Sequence, residues 1–210
     1  MKVGQVVTFG HYYQRGEMDY ADDIEWYILK VDDERDCAML ISKYMIDEQK
    51  YSEESRIYAT WETSVIREWL NHDFYENAFS AGDRQKIRLS LLDNSYSDPN
   101  RILEYKQYKI TPGADTLDYV FLISVEEYGI MMEMPEMMNA DMTGYAARQL
   151  EGTIGENEKA KPCWWTRIPV KGTGTALLIN EKGRITGQSQ QRRHGIRPVI
   201  WVDKSVIISE

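Results

Sequence analysis

Cys163-Trp164-Trp165-Thr166-Arg167-Ile168-Pro169, Thr175-Ala176-Leu177-Leu178-Ile179-Asn180-Glu181-Lys182-Gly183-Arg184-Ile185 and Gly195-Ile196-Arg197-Pro198-Val199-Ile200-Trp201-Val202 are the stretches whose reading sets the fold class of this chain. They read as three short apolar strands separated by glycine-bearing turns. Arg167 and Arg197 sit just inside strand ends flanked by tryptophan or proline. A buried guanidinium is tolerated when its donors are paired, so both are expected to be structural anchors held by carboxylates or backbone carbonyls.

Working outward, Val3 to Gly10 reads as a first strand, and Ile24–Val31 with Cys37–Ser42 as a hairpin closed by the charged turn Asp32-Asp33-Glu34-Arg35-Asp36. Val65, Ile66, Trp69 and Leu70 have the spacing of a short amphipathic helix, with Thr63 or Ser64 as its cap. Ser80 with Asp83, and Ser124 with Glu127, are capping boxes that open two more helices. The second follows the apolar strand Tyr119–Ile123. Asp93 to Gly113 and Gly152 to Lys161 are polar connections. Strands, then short helices, then strands predict one α+β domain over residues 1–210, with a twisted, mainly antiparallel sheet and short flanking helices. The first and last strands are expected to meet.

The 210 residues are 42% hydrophobic and include six tryptophans, which suits a folded core without disulfides. Cys37 and Cys163 lack C-x-x-C partners, so zinc and redox motifs are absent. No run is long enough to span a bilayer. Met1-Lys2 leads straight into strand-like sequence, which is unlike a signal peptide and points to the cytoplasm, although a leader removed beforehand would leave the same chain. The net charge of −9 disfavours nucleic acid. Nine of the 25 Lys and Arg residues, against one acid, lie between Lys159 and Arg197. Either this basic stretch neutralises the acidic body, or it lines a pocket for an anion.

His11, His72 and His194 fall in no catalytic or metal-binding spacing, and there is no nucleophile elbow or Walker motif. The expectation is no catalytic set, no cofactor and no metal. Gly187-Gln188-Ser189-Gln190-Gln191-Arg192-Arg193-His194-Gly195 is the donor-rich loop. Its amides and guanidinium groups suit a sugar, peptide or carboxylate. Gln188, Gln190, Arg192, Arg193 and His194 are the candidate ligand-binding residues, with Trp165 as an aromatic wall and Trp164 in the core. The bland alternative is a solvated hairpin end. Six of the ten methionines fall between Met131 and Met142 and read as core filling rather than an adaptable binding surface.

Taken in order, Val3-Gly4-Gln5-Val6-Val7-Thr8-Phe9-Gly10, Glu25-Trp26-Tyr27-Ile28-Leu29, Leu40-Ile41-Ser42-Lys43-Tyr44, Trp61 to Asn71, Asp118 to Ser124 and the closing pattern resemble the DUF6273 family of Firmicutes proteins. That resemblance implies a bacterial source and brings no established activity. The closing strand-turn-strand and G-x-R-P pattern is also similar to C-type-lectin-like and formylglycine-generating-enzyme-like domains. This implies a compact scaffold with carboxy-terminal ligand loops, here without the catalytic cysteines or histidines. Asp98-Pro99-Asn100 resembles a lectin calcium triplet but lacks its partner segment and reads as a turn. The combined expectation is a non-catalytic recognition module for a glycan, peptide or protein. The alternatives are an enzyme using Cys163 or His194, and a structural or assembly domain.

Overall fold

Strands β1 (Val6–Tyr13), β2 (Ala21–Asp32) and β3 (Cys37–Ser42) form an antiparallel meander. The structure is a computed structural model, and it describes residues 1–15, 20–53, 58–95, 113–151 and 162–207. The Asp98-Pro99-Asn100 triplet and the polar stretch Gly152–Lys161 lie outside the described residues. β1 begins three residues later than its apolar pattern suggests, because Gly4 turns the chain with φ 86°. It also runs past Gly10, where a bulge with φ 70° keeps the ladder going. A Cβ at Gly10 would lie 2.6 Å from the Phe79 ring, so both space and dihedral require glycine. In β2 strict alternation fails, because an irregularity between Ile28 and Lys30 turns both Ile28 and Leu29 inward.

β4 (Asp47–Lys50) leads to a helical stretch made of α1 (Val65–Trp69), a π turn (Leu70–Phe74) and α2 (Tyr75–Ala78). Ile66, Leu70, Phe74 and Ala78 are all buried at four-residue spacing. Four residues overshoot one α-helical turn, and the wider π turn brings the stripe back into line. Ser64 caps α1 by accepting from Arg67 N. α3 (Ala81–Arg84) opens on the Ser80–Asp83 capping box and ends before Ile87. β5 (Ser90–Leu92) and β6 (Thr116–Asp118) form a separate two-stranded ribbon. β7 (Val120–Phe121) precedes α4 (Val125–Met132), opened by the Ser124–Glu127 box, then α5 (Pro135–Met138) and α6 (Gly144–Glu151). Met131, Met137 and Met138 are buried in the core, whereas Met132 is exposed.

The closing stretch makes five strands, two more than its pattern suggests: β8 (Trp164–Val170), β9 (Thr175–Ile179), β10 (Ile185–Ser189), β11 (Arg193–Ile196) and β12 (Val199–Asp203). They divide between two five-stranded sheets, ordered β1-β2-β3-β12-β7 and β10-β9-β8-β11-β4. The one expected sheet is therefore two sheets and a ribbon. Strand pairs are antiparallel except β8 with β11, giving an α+β domain of mixed sheets with short helices.

β12 pairs with β3, not β1, which corrects the expectation that first and last strands meet. All six residues of β3 are buried, so both of its edges need partners. The run β3–β4 thus lies against β12 and β11, from Cys37↔Asp203 to Lys50↔Arg193, and passes from one sheet into the other. Ser42 N donating to Pro198 O and Ile46 N donating to Ile196 O carry the ladder across the gap.

Candidate functional site

Arg197 stands at that crossing. It is fully buried; its Nε and Nη2 donate to Ser42 O at 2.9 and 2.7 Å, and its Nη1 donates to Met137 O at 2.6 Å. The guanidinium lies 4.7 Å over the Trp164 ring. Its partners are two carbonyls and an aromatic face, with no ion-pair partner among the described residues. Burial without a counter-charge pulls its pKa down to about 9. Arg167 is also buried and meets an acid: Nη1 donates to Glu127 Oε2 at 3.1 Å and to Leu122 O at 2.9 Å. Glu127 is the same residue that closes the α4 capping box, accepting from Ser124 N at 2.7 Å. Burial pushes its carboxyl up, but Arg167 and the Ser124 donors outweigh that and hold it below the usual range.

The donor-rich loop turns inward. Gln190 is 1% exposed. Its Oε1 accepts from Ala59 N at 3.1 Å and its Nε2 donates to Ala59 O at 2.9 Å, so the amide grips a backbone 131 residues away as a strand would. Trp165 is fully buried, with Nε1 donating to Gln49 O. Trp164 is buried too, because both faces of its sheet are covered, so neither indole is presented at the surface. Arg193 Nε donates to both oxygens of buried Glu48, at 2.5 and 2.6 Å. His194 packs edge-on against Trp165 at 4.9 Å. Its Nε2 is buried without a hydrogen-bond partner, and burial followed by repulsion from Arg192 lowers its pKa to about 4. Of the six candidate residues, Arg192 is exposed and Gln188 half-buried, while the polar atoms of Gln190, Trp165 and Arg193 are engaged inside the protein. Of the basic stretch, Arg167, Arg193 and Arg197 are engaged inside the protein, whereas Lys171, Lys182, Arg184 and Arg192 are exposed, and Lys159 and Lys161 lie outside the described residues.

Beside Glu48, Asp47 is buried and accepts from Tyr12 OH at 2.6 Å and Glu48 N at 2.7 Å. Burial outweighs those bonds and raises its pKa to about 6. Cys163 is 8% exposed, with Sγ 3.8 Å from the Glu181 carboxylate, an anionic neighbour rather than the cationic one that activates a thiol. Among the described residues, no group of three or more His, Cys, Asp or Glu is placed to hold a metal ion, and no helix is long and apolar enough to cross a membrane.

The surface that sequence reasoning missed is the β5–β6 ribbon. Its pattern is largely inverted: Ser90, Thr116 and Asp118 face inward with Leu92 and are buried, whereas Leu89, Leu91 and Leu117 are 47%, 70% and 57% exposed. Leu91 and Leu117 are direct cross-strand partners. Asp118 fixes this register. It is fully buried and accepts from Trp61 Nε1 at 2.9 Å, Arg67 Nε at 2.7 Å and Thr116 Oγ1 at 2.8 Å. A one-residue slip would turn Leu91 and Leu117 inward, but it would expose Leu92 and carry Asp118 away from Trp61 and Arg67. The alternation Leu89-Ser90-Leu91 and Leu117-Asp118 is visible in the sequence, but nothing there says which side faces in. Next to the ribbon, α1 and the π turn form a shallow groove of about 250 Å³ lined by Glu62, Thr63, Arg67, Glu68, Asn71 and His72.

No curated protein and no solved structure matches the chain. A model of the domain of unknown function DUF6273 matches residues 35–204, leaving β1 and β2 outside the matched stretch although the resemblance began at Val3. The two-sheet crossing, both anchoring arginines and the inverted ribbon all lie inside it, and the chain belongs to the DUF6273 family.

Proposed function

We propose that this domain is a non-catalytic recognition module for a protein or peptide partner, and that its contact face is the β5–β6 ribbon rather than the carboxy-terminal loop. The observation that carries this is the inverted ribbon. Burying one leucine is worth about 1.5–3 kcal/mol, yet a hydrogen-bonded carboxylate holds the register that keeps three leucines out. A glycan is the weaker candidate, since sugars are read by free directional donors and two of the loop's strongest, Gln190 and Arg193, are engaged inside the protein. The likeness of the closing strands to C-type-lectin-like domains enters as scaffold analogy, with the face moved off the carboxy-terminal loops.

Selection from a random peptide library against the wild-type domain tests the reading. Selected peptides should lose binding to Leu91→Asp and keep it with Arg192→Ala and Gln188→Ala. Peptides that behave the opposite way would return the face to the carboxy-terminal loop. A concentration-dependent oligomer that dissociates on Leu91→Asp would instead favour the assembly reading.

A further inference from the structure

We infer that the partner segment carries apolar side chains flanked by lysine or arginine, an inference that rests on the ribbon being the contact face. The cations nearest the leucines, Arg67 and Arg88, are paired with Asp118 and Asp203, and the charges left over among the described residues have one sign. Arg67 joins groove and ribbon, donating to Glu62 O at 3.3 Å and Leu117 O at 3.4 Å, so the groove opens beside Leu117. Its own charge is met by buried Asp118. The exposed carboxylates of Glu62 and Glu68 are left over, with no ion-pair partner among the described residues. At the other end of the ribbon, Asp93 and Asp115 are exposed and accept from the backbone N–H groups of Ser95 and Asn94, and neither forms an ion pair among the described residues.

An apolar patch alone would suit a second copy of the chain. Here that copy would set the same four carboxylates against themselves, and the net charge of −9 adds to the repulsion. Nucleic acid is disfavoured by the same sign. A cationic segment with apolar residues satisfies both features at once. Its leucine-sized side chains cover the ribbon, and its Lys or Arg side chains reach Glu62 and Glu68 at one end and Asp93 and Asp115 at the other.

The probe is a short peptide alternating leucine with lysine, compared with one carrying glutamate in place of lysine, by fluorescence anisotropy at low and physiological salt. The wild-type domain should bind the lysine peptide, more weakly as salt rises, and should not bind the glutamate peptide. Glu62→Gln with Glu68→Gln should weaken binding about fivefold, and Glu62→Lys with Glu68→Lys should shift preference toward the glutamate peptide. Glu34→Gln with Glu181→Gln, on the β2–β3 and β9–β10 turns, should leave affinity unchanged. Equal weakening by that remote pair would reduce the interaction to net charge and overturn the inference. Loss of binding by Leu91→Ser, together with indifference to the groove variants or to the peptide's charge, would keep the ribbon and discard the cationic partner. Wild-type affinity in Leu91→Ser would discard the ribbon itself.

Discussion

The loop between β10 and β11 and the ribbon of β5 and β6 look, by composition, like each other's opposites. One is crowded with amides, guanidinium groups and an imidazole; the other shows leucine, serine and threonine. In the folded protein their roles reverse. The polar loop is closed by partners 131 and 145 residues away, Ala59 and Glu48, whereas the ribbon turns Leu91 and Leu117 to solvent. Whether a polar side chain is available depends on what the fold has placed within 3 Å of it, and that is decided far away in the chain.

The largest expected effect tests whether the loop side is truly a structural seam. Arg197→Ala removes the donors to Ser42 O and Met137 O and leaves both carbonyls buried, so it should destabilise the domain by about 3–5 kcal/mol in urea unfolding. Arg197→Lys should recover little, because a single ammonium cannot replace the planar fork. On the ribbon side, Asp118→Ala strands Trp61 Nε1, Arg67 and Thr116 together and should cost about 3 kcal/mol. A loss below about 1 kcal/mol would mean that the inverted register is not held by this carboxylate.

Protonation sharpens the contrast next. His194 stays neutral in the fold down to about pH 4, while the unfolded chain takes its proton near 6.5. The stability it contributes is therefore full above pH 6.5 and is lost as pH falls toward 4, on the order of 2 kcal/mol. Asp47 runs the other way: with its pKa raised to about 6, the stability it contributes is full below about pH 4 and is lost as pH rises through 6. The two should largely offset between pH 4 and 6. His194→Phe should then gain stability relative to wild type on acidification, and Asp47→Asn should lose it, each read by denaturant midpoints across that range. Parallel profiles for both variants would show that neither group titrates as its surroundings dictate.

Within the loop itself, Gln190→Ala should cost about 1–2 kcal/mol, and Arg192→Ala less than about 0.5 kcal/mol. Similar melting temperatures for the two would erase the distinction between buried and exposed donors. Smallest of all, Leu91→Ser should shift stability by no more than about 0.5 kcal/mol, since its side chain is already in solvent.

Local features were legible in the sequence. The β2–β3 hairpin, the Ser64 cap and both capping boxes follow from residues within a few positions of one another, and the structure has them. Long-range features were not. The partition of the closing strands between two sheets depends on β3 and β4, some 150 residues earlier, and no periodicity in Gly195–Val202 marks the change of sheet. Arg197 reads as an anchor held by carboxylates or backbone carbonyls, but that its partners are two carbonyls, 155 and 60 residues away, beside Trp164 is set by the fold. The ribbon escaped notice because its two strands are three residues each and their inward positions are polar but for Leu92, so a reader seeking apolar cores passes over them.

The crossing of β3–β4 with β11–β12 has a consequence during synthesis. Both sheets are built around strands from opposite parts of the chain, and each lacks an interior strand until residues 193–203 have been made. A ribosome-bound intermediate that stops short of Arg193 would carry β3 with a bare edge, apolar on both faces up to Ser42, and β4 cut off from β8. Such a species exposes unpaired strand edges to its neighbours for most of its translation. The domain should therefore fold late and nearly all at once, and the Arg197–Pro198 step is where its two halves become a single cooperative unit.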